Sequence, residues 1–300
     1  LLKTPKSPGL IKATLTRAEA LAALTKRLDA DGIDTAADDA RLLFQAATGL
    51  SRLEFVTCPE ALMARDHLEI LEAFAIRRMR DEPTSRIIGH RGFWSIDLLV
   101  AKEVLDPRPD TEVVIEATLA VARNRRSETL SILDLGSGSG AISCALLSEL
   151  PNAQVLAVDL SHAACLATAA NLSRCGYLHR AKVIRGNWAD AINGRFDIIV
   201  SNPPYIRSND MKGLDPAVRN YDPALALDGG CDGLYSYREI ILALPGLAGQ
   251  GCIVVFEVGV DQAMAVAGLL DTQNFKLLEI RHDLGGHPRA VAATRITSNS

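Results

Sequence analysis

The sequence predicts a doubly wound, mostly parallel α/β sheet that ends in an antiparallel hairpin and is preceded by a small helical domain. Three observations carry that expectation. From residue 130 onward, short apolar runs alternate with stretches of helical period, the pattern of strands joined by crossover helices. The last two apolar runs, 274–281 and 290–296, are separated by a short loop around Gly285 and Gly286, so they are expected to pair antiparallel. Residues 16–80 are helical in period throughout.

Thr16 and Glu19 have capping-box spacing ahead of Ala20, Leu21, Leu24 and Leu28, and Gly32 marks a stop. Thr35 and Asp38 repeat the device, leading through Leu42, Leu43 and Ala46 to Gly49. A third helix follows Pro59, with Leu68, Leu71, Ala75 and Met79 at helical spacing. The period changes around Glu82 and Pro83. Ile87 to Leu105 is rich in β-branched and aromatic residues, including Ile87, Ile88, Phe93, Trp94 and Ile96, with Gly89 and Gly92 as turn candidates, so a hairpin bridging two domains is expected. Pro107 and Pro109 then break the chain before a helix that runs to about Arg123. Beyond it, strands are expected at 130–135, 154–159, 181–185, 196–201 and 251–257, with helices near 139–150, 161–174, 232–248 and 261–271. The expected organisation is a helical domain over 1–82, a β-hairpin linker over 83–110 and an α/β domain over 111–300.

A chain of 300 residues that is 48% hydrophobic and 23% charged can bury a real core, which excludes bulk disorder. Lys and Arg total 32 against 36 Asp and Glu, a net charge of -4, which argues against a surface built to grip nucleic-acid phosphates. Up to Glu82 the count is 12 basic and 13 acidic residues, so the helical domain is not a basic clamp. The six cysteines lie far apart with no C-x-x-C pair, which reads as free thiols, and the histidines share no spacing that suggests a metal site. No apolar run approaches the roughly 20 residues of a membrane helix, and the first residues form no secretory h-region, so a cytoplasmic protein without membrane contact is expected. A start at Leu1 leaves open the removal of an N-terminal segment.

The first chemical signal is Gly136-Ser137-Gly138-Ser139-Gly140, which turns the apolar strand ending at Leu135 into a helix beginning near Ala141. Such glycines let backbone approach a ligand at the carboxyl edge of the sheet. Asp159 ends the second strand, where a carboxylate can accept from two ribose hydroxyls. Because Gly136, Gly138 and Ala141 also satisfy G-x-G-x-x-A, the loop and Asp159 leave NAD and S-adenosylmethionine as alternatives. Asp134, just before the glycines, favours S-adenosylmethionine, since a carboxylate there suits a methionine ammonium group.

The decisive signal is Asn202-Pro203-Pro204-Tyr205 after the apolar strand that ends at Ser201. The prolines hold the loop rigid. A planar nitrogen carries two N–H groups, and the Asn202 side-chain oxygen and a nearby backbone carbonyl can accept both, aiming the nitrogen at an electrophile. Tyr205 offers a flat face for the planar acceptor.

Together, residues 134–140 and the tetrad resemble a class I S-adenosylmethionine-dependent methyltransferase acting on a planar nitrogen, and hence a Rossmann-like methyltransferase sheet. Pro107-Arg108-Pro109-Asp110-Thr111-Glu112, Asp228-Gly229-Gly230 with Asp232-Gly233-Leu234, and Glu257-Val258-Gly259 resemble the protein-(glutamine-N5) methyltransferases of peptide chain release factors, over roughly residues 84–297. The resemblance implies methyl transfer to the glutamine of a Gly-Gly-Gln loop in a release factor, with the helical domain in substrate recognition and no direct nucleic-acid partner. It implies that Asp134, Gly136, Ser137, Gly138, Ser139, Gly140 and Asp159 hold the cofactor, and that Asn187 and Trp188 meet its adenine. It also places Asn202 beside both cofactor and substrate, with Pro203, Pro204 and Tyr205 shaping the glutamine site. Asn187 stands where the family often has Asp, and Asp106 where an apolar residue is commoner. The tetrad is shared with adenine-N6 methyltransferases of DNA or RNA, which remain the alternative. A nicotinamide oxidoreductase and a non-catalytic nucleotide-binding module are the more distant ones.

Overall fold

Alternation of side chains along parallel strands explains why the strand segments read as unbroken apolar runs. In the computed structural model, which describes residues 14–190 and 192–296, β3 (Ser131–Leu135), β4 (Gln154–Asp159), β5 (Ala181–Arg185), β6 (Phe196–Ser201), β7 (Ala248–Glu257), β8 (Phe275–His282) and β9 (Pro288–Arg295) form one sheet. Their order is β5-β4-β3-β6-β7-β9-β8, parallel through β7 and antiparallel in the last two pairings. Ile132, Ile198, Val200, Ile253 and Val255 join one buried layer, whereas Leu133, Leu135, Ile199, Val254 and Phe256 join the other. With helices over both faces, each strand is apolar at odd and even positions alike. The first layer is shared with α6 (Glu112–Val121) and α7 (Ala141–Glu149), and the second with α10 (Tyr235–Leu247) and α11 (Ala263–Thr272). A fully buried Leu or Ile in these layers contributes roughly 1.5–3 kcal/mol. Strand β7 begins three residues before the expected 251, because Ala248 pairs with Phe196 across a register shift in β6.

The chain divides into two compact units, residues 1–89 and 90–300. Within the first lie α1 (Arg17–Ala30), α2 (Ala36–Thr48), α3 (Arg52–Thr57), α4 (Arg65–Arg78) and α5 (Thr84–Ile88). Thr16 and Glu19 form the expected capping box, and Ser51 with Glu54 forms a second one that starts α3, a helix the sequence reading passed over. Thr35 makes no capping bond: its hydroxyl donates instead to Asp39 Oδ2 at 2.7 Å, and Asp39 also receives Arg78 and Thr84. The buried face of α2 is Ala40, Leu43, Phe44 and Ala47, while Leu42 and Ala46 face water.

The boundary falls at Gly89 rather than Glu82, which is a correction to the expected hairpin linker. Ile87 and Ile88 close α5, one turn of helix after Pro83 that Gly89 ends in the left-handed conformation. The hairpin itself is β1 (His90–Phe93) and β2 (Ile96–Leu99), and it turns at Trp94, not at either glycine. It belongs to the second unit, where Trp94 Nε1 donates to Glu149 and Leu99 exchanges hydrogen bonds with the Asn171 side chain on α8 (His162–Arg174). The same Asn171 amide donates to the carbonyl of Ser139 at 2.9 Å. Asp106 is explained by Arg91, which donates to its Oδ2 at 2.8 Å. The remaining helix, α9 (Pro216–Tyr221), was not anticipated. No helix among the described residues is long and apolar enough to cross a membrane.

Candidate active site

In the central parallel pair, Leu135 of β3 lies opposite Ser201 of β6, so the two following residues, Gly136 and Asn202, leave the sheet side by side. This is the point where the chain switches direction across the sheet, the place where open α/β sheets bind ligands. A cavity of about 250 Å³ opens there, lined by Gly136, Gly138, Asp159, Asn187, Trp188, Asn202 and Pro204 among others.

Strand parity puts Asp134 on the α7 side, fully buried, where its Oδ2 accepts from Ser143 Oγ at 2.5 Å. Its Oδ1 is buried with no partner among the described residues. Burial pushes this carboxyl up to about 7, against the Ser143 hydrogen bond, and the nearby Asp159 charge pushes the same way. An unpartnered buried acceptor beside a glycine loop fits the ammonium group of S-adenosylmethionine. Asp159 closes β4 and accepts from the backbone N–H groups of Gly138 and Ser161, each at 2.8 Å. Burial raises its pKa while those backbone bonds lower it. The three loop glycines all have positive φ, and a Cβ at Gly136 would lie 3.2 Å from the Trp188 ring. A Cβ at Gly140 would press on the Thr168 backbone at 3.1 Å, so this glycine serves helix packing. Ser137 faces Thr168 at 3.1 Å, and Asp134, Ser137, Ser139 and Gly140 lie outside the cavity lining. The Asn187 amide donates to Asp190, which leaves its carbonyl oxygen as an acceptor.

On the other side of the cavity, Asn202 Nδ2 donates to Thr111 Oγ1 at 3.2 Å. Tyr205 is mostly buried, and its hydroxyl donates to Glu257 Oε1 at 3.2 Å; it and Pro203 stand outside the lining. The tetrad is enclosed by the later glycine motifs. A Cβ at Gly229 would fall 2.7 Å from the Pro204 carbonyl oxygen, and one at Gly233 2.5 Å from that of Tyr205. Gln262 completes the clamp by donating to the carbonyls of Tyr205 at 2.9 Å and Gly233 at 3.2 Å. Sequence reasoning missed Gln262 and the wall made by Pro223, Leu225, Ala226 and Tyr235. The signal available for the wall was the run of motifs from Asp228 to Leu234 beside it. Arg108 forms an ion pair with the buried Asp222, and Glu112 accepts from the Trp94 backbone at 2.8 Å. No metal-binding cluster occurs among the described residues.

Residues 111–215 match the family described as Methyltransferase small domain, and residues 19–89 match the PrmC N-terminal domain. The fold and this site therefore define a methyltransferase that uses S-adenosylmethionine. The chain is 43% identical over 92% of its length to the release factor glutamine methyltransferase of Agrobacterium fabrum, covering 96% of that protein. It is 42% identical to the enzyme of the same name from Rhodospirillum rubrum, over 90% of this chain and 82% of that one. For the Caulobacter vibrioides enzyme the figures are 38%, 94% and 97%. The chain belongs to the release factor glutamine methyltransferases.

Proposed function

We propose that this protein transfers one methyl group from S-adenosylmethionine to the side-chain amide nitrogen (N5) of the glutamine in the Gly-Gly-Gln loop of a peptide chain release factor. The observation that carries this reading is the placement of Gly136 and Asn202 on one cavity at adjacent strand ends. When bound, S-adenosylmethionine supplies an electrophilic methyl group on a sulfonium. Gly136 to Gly140 bring backbone to the cofactor, Asp134 accepts from its ammonium, Asp159 accepts from its ribose, and Asn187 and Trp188 meet its adenine. Asn202 Oδ1 and a tetrad carbonyl accept the two N–H groups of the substrate amide, which orients the nitrogen without any strong base. The same two acceptors stabilise the charge that develops on nitrogen. Pro203, Pro204 and Tyr205 keep that geometry rigid.

The helical unit serves in recognition of the protein substrate. Leu53, Val56 and Leu62 support this, being 72%, 63% and 66% exposed apolar residues on a unit whose charges balance. The substrate belongs to translation termination, which places the enzyme in the cytoplasm and makes a nucleic acid neither its substrate nor a direct partner. Mass spectrometry of a release factor incubated with enzyme and cofactor tests the reading. A single methyl on the Gly-Gly-Gln peptide is expected, and label on adenine instead would transfer the assignment to adenine-N6 methylation. Leu53→Asp with Val56→Asp should raise KM for the release factor and leave cofactor affinity unchanged.

A further inference from the structure

Proline carries no N–H, so the stretch from Asn202 to Tyr205 is held to the rest of the fold largely through carbonyls and side chains. At its start, Ser201 is fixed in the sheet between Leu135 and Phe256. At its end, the Tyr205 carbonyl accepts from Gln262 Nε2 at 2.9 Å, and the Tyr205 hydroxyl donates to Glu257 Oε1 at 3.2 Å. Gln262 directly precedes α11 and is 5% exposed. Its Nε2 also donates to the Gly233 carbonyl at 3.2 Å, and its Oε1 accepts from the Gly259 N–H at 3.1 Å. With two carbonyls on the nitrogen side and an N–H on the oxygen side, this amide has one workable orientation. A Cβ would lie 2.5 Å from Nε2 at Gly233 and 2.9 Å from Oε1 at Gly259, so glycine at both positions leaves the amide its room.

We propose that Gln262 is a positioning residue for the transfer step: by holding the Tyr205 carbonyl it fixes the far end of the tetrad, and with it the direction in which the tetrad's acceptors face the substrate nitrogen. The inference rests on the reading of Asn202 and a tetrad carbonyl as the holders of the glutamine amide. Gln262 lies outside the cavity lining, so it acts through Tyr205. Pro203 and Pro204 have fixed φ, which leaves the loop little slack in which a shift at Tyr205 could be absorbed before it reaches Asn202. A misplacement of about 1 Å at a reacting centre is enough to cost roughly a hundredfold in rate.

A role confined to packing has a different signature. Gln262 seats the start of α11 through its backbone, whose carbonyl accepts from the Val266 N–H at 2.9 Å, a bond that substitution of the side chain leaves in place. The side-chain amide bonds to the backbone of Gly259, Gly233 and Tyr205. Losing it therefore loosens the tetrad and the glycine motif behind it, and leaves the Gly136 to Gly140 loop untouched. The expected loss is in kcat, with cofactor affinity retained.

The test compares Gln262→Met, Gly259→Ala, Val266→Ala and Asn202→Ala with the unaltered enzyme, using a release factor and S-adenosylmethionine well below each melting temperature. Gln262→Met keeps the side chain's length and removes its donors. It should lower kcat on the order of ten- to a hundredfold, with cofactor Kd and KM for the release factor little changed. Val266→Ala, fully buried one turn along the same helix, should lower the melting temperature and keep kcat. Gly259→Ala, whose Cβ would displace the Gln262 amide, should lose kcat as Gln262→Met does, and it decides the matter if Gln262→Met does not fold. Full turnover in Gln262→Met, or an equal loss of kcat in Val266→Ala, overturns the proposal. Turnover retained in Asn202→Ala would instead remove the reading of Asn202 itself, whereas loss there with full activity in Gln262→Met overturns only the present inference.

Discussion

Ser201 donates its hydroxyl to the carbonyl of Leu135 at 2.6 Å, and the two residues are register partners in the parallel pair β3 and β6. This side-chain bond supplements the ladder at the last position before both strands release their loops. A one-residue slip here would move Asn202 relative to Gly136 by about 3.3 Å, far outside what an aligned transfer tolerates.

Ser201→Ala should therefore destabilise the protein by about 0.5–1.5 kcal/mol, the net worth of one buried hydrogen bond. Urea unfolding monitored by circular dichroism reads the change, with an unchanged slope expected.

Asp159→Ala should weaken S-adenosylmethionine by roughly 1.5–3 kcal/mol, the range for hydrogen bonds to a charged acceptor. Because Asp159 also holds the Gly138 and Ser161 N–H groups, Asp159→Asn, which keeps one acceptor, should lose less. Titration calorimetry of the three proteins separates the ribose contribution from loop support.

Asp134 sets a pH dependence whose sign follows from burial. Its folded pKa, about 7, lies above the ordinary aspartate value of 3.8 that holds in the unfolded chain, so between them the folded state holds the extra proton and stability falls as pH rises. Asp134→Asn removes this dependence. Its melting temperature relative to the unaltered protein should be higher at pH 8 than at pH 5, measured without cofactor. Cofactor affinity runs the other way: it needs the carboxylate, so it should decline below about pH 7 in the unaltered enzyme and be weak at every pH in Asp134→Asn.

The strand runs, the glycine loop and the tetrad were legible because each is a local pattern: a two-faced buried strand is continuously apolar, and a loop motif is contiguous. The partners of the tetrad were not. Glu257 lies 52 residues from Tyr205 and Thr111 91 from Asn202, and only the sheet brings them together. Local rules failed where tertiary contacts outbid them: Thr35 turned to Asp39, which also holds Arg78 and Thr84, and Ile87 and Ile88, β-branched like strand residues, were wound into a turn between Pro83 and Gly89.

Two glycines should respond in opposite ways to alanine. Gly268, inside α11, has nothing within 4 Å of a built Cβ, so Gly268→Ala should stabilise the protein by about 0.5–1 kcal/mol through the unfolded chain's lost freedom. Gly233 has φ +75° and a Cβ there would sit 2.5 Å from the Tyr205 carbonyl oxygen, so Gly233→Ala should lower both melting temperature and turnover. Differential scanning calorimetry with a turnover assay reads both.

Asn171 has a wider consequence. One buried side-chain amide holds both polar groups of Leu99 and the carbonyl of Ser139, so the edge of the hairpin and the glycine loop share a single latch. Neither can open without exposing the donors and acceptors of the other, which makes them one cooperative unit for local unfolding. Hydrogen exchange at Leu99 should therefore follow the glycine loop, and a ligand that orders the loop should slow exchange in a strand that does not touch the cavity.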